Sequence, residues 1–260
     1  MAVNGICKRC GKTAKLCRSH IIPEGAFRTV YDEHSRALTI NSEGSTSREV
    51  QQGAWEYMFC RDCEDFFEDI ETPFQRFWKH PTTLPSELTI SHIFVQDVDY
   101  ENTKRFLLSV LWRSHVTSRP EFSGVDLGLH ANKIDALLRS SAPILASVYS
   151  VFGYVLKNIE TDGPDDKVLV TPARFRVGGH RSYVVAFLGI AWLIVISSHK
   201  VDLPQSCLLE PRKALLLPVV STRDFGPIRQ IYRERSSRIP NPANRADGNR
   251  KQRGSRRSPG

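Results

Sequence analysis

Two periodicities divide the chain. From residue 64 to 80 the stretch EDFFEDIETPFQRFWKH sets Phe66, Phe67, Ile70, Phe74, Phe77 and Trp78 at helical spacing. That spacing predicts a helix with an apolar face, and Pro73 starts a new turn in it or kinks it. DYENTKRFLLSVLWRSHVTS (99–118) places Phe106, Leu107, Val110 and Leu111 on one face and predicts a second helix. Residues 131–157 read as helical in patches, with Pro143 inside. From about residue 166 the texture turns to β. KVLVTPARFRV, SYVVAFLGIAWLIVIS and KALLLPVV read as strands, and Gly178–Gly179 marks a turn between the first two. The polar, Gly/Ser-rich INSEGSTSREVQQG (40–53) has the composition of an exposed loop. No internal repeat is present.

The longest apolar run, YVVAFLGIAWLIVI (183–196), has 14 residues. A membrane-spanning helix needs about 20, and this run is rich in β-branched and aromatic residues. It predicts buried β structure, and no membrane partner is expected. A length of 260 residues allows a sizeable core. The elements together give an α+β class with three parts: residues 1–80, an α+β region over 81–232 without a chemical motif, and a tail over 233–260.

Charge changes the picture only when it is located. The net charge is +8, but residues 233–260 hold nine Arg or Lys against Glu234 and Asp247 and so carry +7, leaving +1 on the rest. Few apolar residues and many Arg, Pro, Gly and Ser predict a disordered tail. It is either a salt-dependent anchor for DNA or RNA or a solubilising end. RFRVGGHR (174–181) is a basic turn with the same two readings, phosphate contact or simple solvation. The N-terminal MAVNGICKRC has no apolar signal stretch, so the chain reads as cytoplasmic. Regularly spaced cysteines in a reducing compartment favour a metal over disulfides.

The cysteines supply the sharpest motif. Cys7-Lys-Arg-Cys10 and Cys60-Arg-Asp-Cys63 are two C-x-x-C pairs separated by 49 residues. A C-x-x-C pair on a tight turn points both thiolates at one ion, and two pairs complete the tetrahedron that zinc prefers. The expectation is a structural Zn²⁺ held by Cys7, Cys10, Cys60 and Cys63. Cys17 and Cys207 read as small core residues.

CRSHIIPEGAF (17–27) lies between the pairs. Three roles fit His20: a general base, a zinc ligand paired with Cys17, or a packed and hydrogen-bonded ring. In order, CKRC, GKTAKLCRSHIIP and MFCRDCEDFFEDIE resemble the HNH (His-Me finger, treble-clef) endonucleases. The resemblance covers about residues 5–72. It implies a zinc-stapled treble-clef or ββα-metal finger at the N-terminus and phosphodiester hydrolysis of DNA or RNA. His20 is then the general base, and a catalytic Mg²⁺ or Mn²⁺ is held from the helix after the second pair. Many family members carry an acid or a histidine just before the catalytic histidine, where this chain has Ser19. The stretch GAWEYMF before the second pair lacks the family's asparagine, and Glu64 follows the last cysteine. Glu64 is therefore the expected ligand for the second cation, since carboxylates suit hard cations. Its other reading is an acid favoured at a helix N-terminus. A zinc module that binds nucleic acid or protein without catalysis is the alternative function. Patterns for nucleotide-phosphate loops and the G-x-S-x-G elbow are absent, so nucleotide hydrolysis and acyl transfer gain no support.

Overall fold

The computed structural model describes residues 3–27, 30, 36–38, 49–51, 53–80, 83–201, 207–212, 214–226 and 228–229. The basic tail and His34 lie outside the described residues, as does most of the 40–53 segment.

The architecture is mixed α+β. In chain order the first elements are β1 (Val3–Ile6), β2 (Thr13–His20), a single turn α1 (Glu24–Phe27), β3 (Arg36–Leu38), β4 (Glu49–Gln51), β5 (Trp55–Cys60) and α2 (Arg61–Trp78). There follow β6 (His92–Gln96), α3 (Tyr100–Val116), α4 (His130–Arg139), β7 (Val151–Lys157), β8 (Val170–Val177), β9 (His180–Phe187), β10 (Ile190–Val195) and β11 (Ala214–Ser221). β1, β2 and β5 form an antiparallel three-stranded sheet. A six-stranded sheet runs β6-β11-β7-β10-β9-β8, antiparallel except for the parallel β11–β7 pair. β3 and β4 pair with each other within the long excursion between β2 and β5.

Local chemistry accounts for α2. Cys60, in extended conformation, starts it, and Asp62 and Glu64 place negative charge in its first turn. Cys63, Phe67, Ile70, Phe74 and Trp78 form its buried stripe. The helix runs through Pro73, which lies on the exposed side. The backbone bond that proline cannot donate is therefore missing where solvent can replace it. α3 differs in being buried nearly all round, including Lys104 and Arg113.

Two strand assignments differ from the sequence expectation. Residues 131–157 are helical only over His130–Arg139, and Val151–Lys157 forms β7 in the middle of the large sheet. Apolar runs buried on both faces have no period that separates helix from strand. The 182–197 run is two strands, with Leu188 and Gly189 at φ 55° and 73° making the hairpin turn. A leucine in that conformation is uncommon, so the sequence gives little warning of the turn.

One core runs through both sheets. Phe59 of β5 packs on Phe67 and Trp112, Phe74 stacks on Phe106, and Trp78 meets Trp192 of β10 edge-on. The buried cluster extends without a break from Cys7 to Leu217, so the core is continuous across residue 80. Among the described residues no helix is long and apolar enough to cross a membrane.

Candidate metal centre and adjoining histidine site

The first C-x-x-C pair sits on the turn between β1 and β2. The Gly11 amide donates to the Cys7 carbonyl at 2.9 Å, and Gly11 holds φ 74°, a conformation glycine adopts without a Cβ clash. The second pair spans the junction of β5 and α2. Pairing of Leu16 with Cys60 in the β2–β5 ladder brings this junction beside the turn.

The result is one cluster: the sulfurs of Cys7, Cys10, Cys60 and Cys63 all lie within 4.8 Å of one another. A tetrahedral zinc with bonds of about 2.3 Å requires sulfur–sulfur edges of about 3.8 Å, and the Cys10 and Cys60 sulfurs are 3.8 Å apart. A disulfide needs about 2.05 Å, and all six cysteines are free. The donor set therefore fits a structural zinc ion. Burial pushes the Cys7 thiol up, but the amides of Cys10, Cys60 and Arg9 aimed at its sulfur outweigh this and bring it down to about 7. Cys60 donates one of them, at 3.4 Å. Burial, reinforced by the neighbouring sulfurs, pushes Cys63 well above an ordinary thiol. A dication among the four relieves that repulsion. Among the described residues this is the one group of three or more His, Cys, Asp or Glu brought within reach of a single ion.

Side chains outside the cluster hold it against the rest of the fold. Arg9 stacks on Phe66 with its guanidinium carbon 3.5 Å from the ring centre, and bonds Asp135 of α4 at 3.2 Å. Lys8 pairs at 2.5 Å with Glu56, which also accepts from Thr117 and the Ser118 amide beyond α3.

β2 leads from the cluster to Ser19 and His20. Ser19 is fully buried and donates its hydroxyl to Glu64 of α2 at 2.5 Å. Burial pushes the Glu64 carboxyl up, against the hydrogen bond from Ser19 and the nearby charge of Arg113. His20, the last residue of β2, is half-buried, with Nε2 3.3 Å from a carboxylate oxygen of Glu24 on α1. Burial lowers the ring's pKa below 6.5, and Glu24 pulls it partly back. The His20 main-chain carbonyl accepts a 2.8 Å bond from Arg113 of α3, whose guanidinium also pairs with Glu71 of α2.

Sequence reasoning singled out His20, Glu64 and the four cysteines, but missed three members of this site. Glu24, Glu71 and Arg113 carry no motif of their own. Only the seven-residue spacing of Glu64 and Glu71, which keeps them on one face of a helix, was there to be read. His80 sits at the far end of α2, roughly 20 Å along the helix from Glu64. There it lines a cavity of about 540 Å³ with Arg76, Phe77 and Phe94. Cys17 is half-buried, and Cys207 is buried against the large sheet in an apolar cluster with Phe152, Leu193 and Val195. His92, His115 and His130 have hydrogen-bond partners in Ser91, Val125 and Tyr149. In the 174–181 turn, Arg181 is bonded to the carbonyl of Asp126 at 2.8 Å.

No protein-family model, curated protein or solved structure matches the chain.

Proposed function

We propose that the chain is a metal-dependent endonuclease of the HNH type, with residues 1–80 built as a zinc-stapled treble clef. One observation carries the reading. In the family, a ligand for the catalytic cation stands just before the catalytic histidine, and another stands just after the last cysteine. Here those two positions, Ser19 and Glu64, meet at 2.5 Å, with His20 next in the chain. The two ligand positions thus meet beside the cysteine cluster, while the His20 side chain projects from the other face of β2.

The chemistry follows from this chain's own side chains. Burial keeps the His20 imidazole neutral at pH 7, the form a base requires. The Glu24 carboxylate lies 3.3 Å from Nε2, close enough for its charge to favour the ring's taking a proton from water. Glu24 then stabilises the imidazolium that forms. Arg113 fixes the backbone at His20, so the ring is held before substrate arrives. Glu64 is the carboxylate available to hold Mg²⁺ or Mn²⁺, which when bound neutralises charge on the phosphate.

The test is plasmid cleavage with added Mg²⁺ or Mn²⁺ by the wild type and by His20→Ala. The reading expects cutting by the first and a loss of about 10²- to 10⁴-fold in the second. Equal cutting by both removes it.

A second reading, a zinc module that binds nucleic acid without cutting it, is favoured by the same Ser19–Glu64 bond. The family's acidic ligand is replaced by a hydroxyl, and that hydroxyl already satisfies one oxygen of Glu64. It expects no cleavage by either protein across several metals.

A further inference from the structure

The antiparallel register of β2 and β5 sets Arg18 opposite Tyr57 and His20 opposite Trp55. Residues directly opposite across a ladder project from the same face, so these four side chains share one face of the pair. Ser19 and Glu56, between them, project from the other, where Glu64, Lys8 and Thr117 hold them. On the shared face the Arg18 guanidinium lies over the Trp55 ring, 4.0 Å from its centre. The Trp55 and Tyr57 rings meet edge to face at 5.5 Å. Tyr57 remains 37% exposed, Arg18 is exposed, and Trp55 is half-buried.

The charge around the face is mixed, with the Glu24 carboxylate 3.3 Å from the His20 ring and cations along the N-terminal hairpin. Residues 1–23 contain Lys8, Arg9, Lys12, Lys15 and Arg18 and no carboxylate. Lys8 and Arg9 are occupied by Glu56 and Asp135, while Lys12 and Lys15 are exposed on the hairpin. Exposed aromatic edges and a planar guanidinium on one face match a ligand that presents planar bases along a negatively charged backbone.

We infer that the Arg18–Trp55–Tyr57 face is a stacking subsite for an unpaired nucleobase, seating a single-stranded segment of nucleic acid beside His20. The inference rests on the nuclease reading for what happens at His20, but binding at the face does not require it. Within a duplex both faces of a base are covered by its neighbours, so the subsite selects single-stranded, looped or frayed substrate over intact duplex.

Fluorescence anisotropy of the zinc-loaded full chain tests this, using a labelled single-stranded DNA of about 15 nucleotides and its duplex, without added Mg²⁺ or Mn²⁺. The single strand is expected to bind at least about tenfold tighter than the duplex and to quench tryptophan fluorescence. Tyr57→Ala and Arg18→Gln should each weaken single-strand binding about tenfold. Tyr57→Phe keeps the ring and should bind as the wild type does, as should Phe94→Ala, which removes an exposed aromatic from β6. Equal affinity for the two DNA forms, unchanged binding by Tyr57→Ala, or no binding at all overturns the inference. Tyr57-dependent binding without cleavage removes the nuclease reading alone, and cleavage with no dependence on Tyr57 removes this inference alone.

Discussion

The guanidinium of Arg113 donates a 2.8 Å hydrogen bond to the main-chain carbonyl of His20, 93 positions earlier in the chain. The same group pairs with Glu71, so one buried cation of α3 ties the end of β2 to a face of α2. Arg113→Met should lower unfolding free energy in urea by about 3 kcal/mol, because it leaves Glu71 largely buried without its counter-charge. Arg113→Met combined with Glu71→Leu should recover most of the loss. A single variant as stable as the wild type would show that the pair does not organise the site.

In the nuclease reading, the pH dependence of cleavage follows from His20. Burial sets its pKa below 6.5 and Glu24 opposes that shift. A neutral base works above its pKa, so the acid limb of the pH profile should fall below pH 6.5. Glu24→Gln removes the opposing charge and should move the limb to lower pH. An NMR titration of the His20 ring reads the same shift whether or not the protein cuts. A midpoint at or above 6.5, or an upward move in the variant, contradicts this account of the site.

Glu64 gives a stability signature of opposite kind. Its carboxyl is pushed up chiefly by burial. A raised folded-state pKa means that the native protein binds the proton more tightly than the unfolded chain does. Stability from this group is therefore fully present below pH 4.5 and is lost as pH rises through the raised value. At pH 7 the buried charge is a cost that Glu64→Gln removes, while the amide oxygen still accepts from Ser19. Glu64→Gln should melt about 2 °C higher at pH 7, and the gain should vanish near pH 4. In the nuclease reading the same change weakens cation binding, as expected where a site trades stability for activity.

The continuous core from Cys7 to Leu217 bears on zinc loss. Cys60→Ser leaves three sulfurs and should lower both zinc content and stability by several kcal/mol. The loss should appear as one cooperative transition by near-ultraviolet circular dichroism, because Phe59, Phe67 and Trp112 link the sheet that carries the cysteine cluster to α3. Two separate melting steps would show that residues 1–80 fold on their own.

What the sequence revealed depended on how local each signal was. A C-x-x-C pair is a four-residue geometry, and both pairs converge as their spacing implies. The helix over 61–78 was legible from its apolar stripe, and that over 100–116 from the helical spacing of Phe106, Leu107, Val110 and Leu111, although it is buried nearly all round. β7 was not, since VFGYVLK is buried on both sides in the middle of the sheet and lacks alternation. Nor was the hold of Arg113 on His20. An arginine within RFLLSVLWRS reads as a charge at a helix end until tertiary packing closes over it, leaving 2% exposed.

The account rests most heavily on a zinc ion bound by four cysteines that leaves the His20 imidazole out of its coordination. X-ray absorption at the zinc edge of the full chain tests this most directly. The account predicts one zinc per chain with four sulfurs at about 2.3 Å. A shell of three sulfurs and one nitrogen at about 2.0 Å, lost in His20→Ala, would place the imidazole on the metal and contradict its assignment as a base.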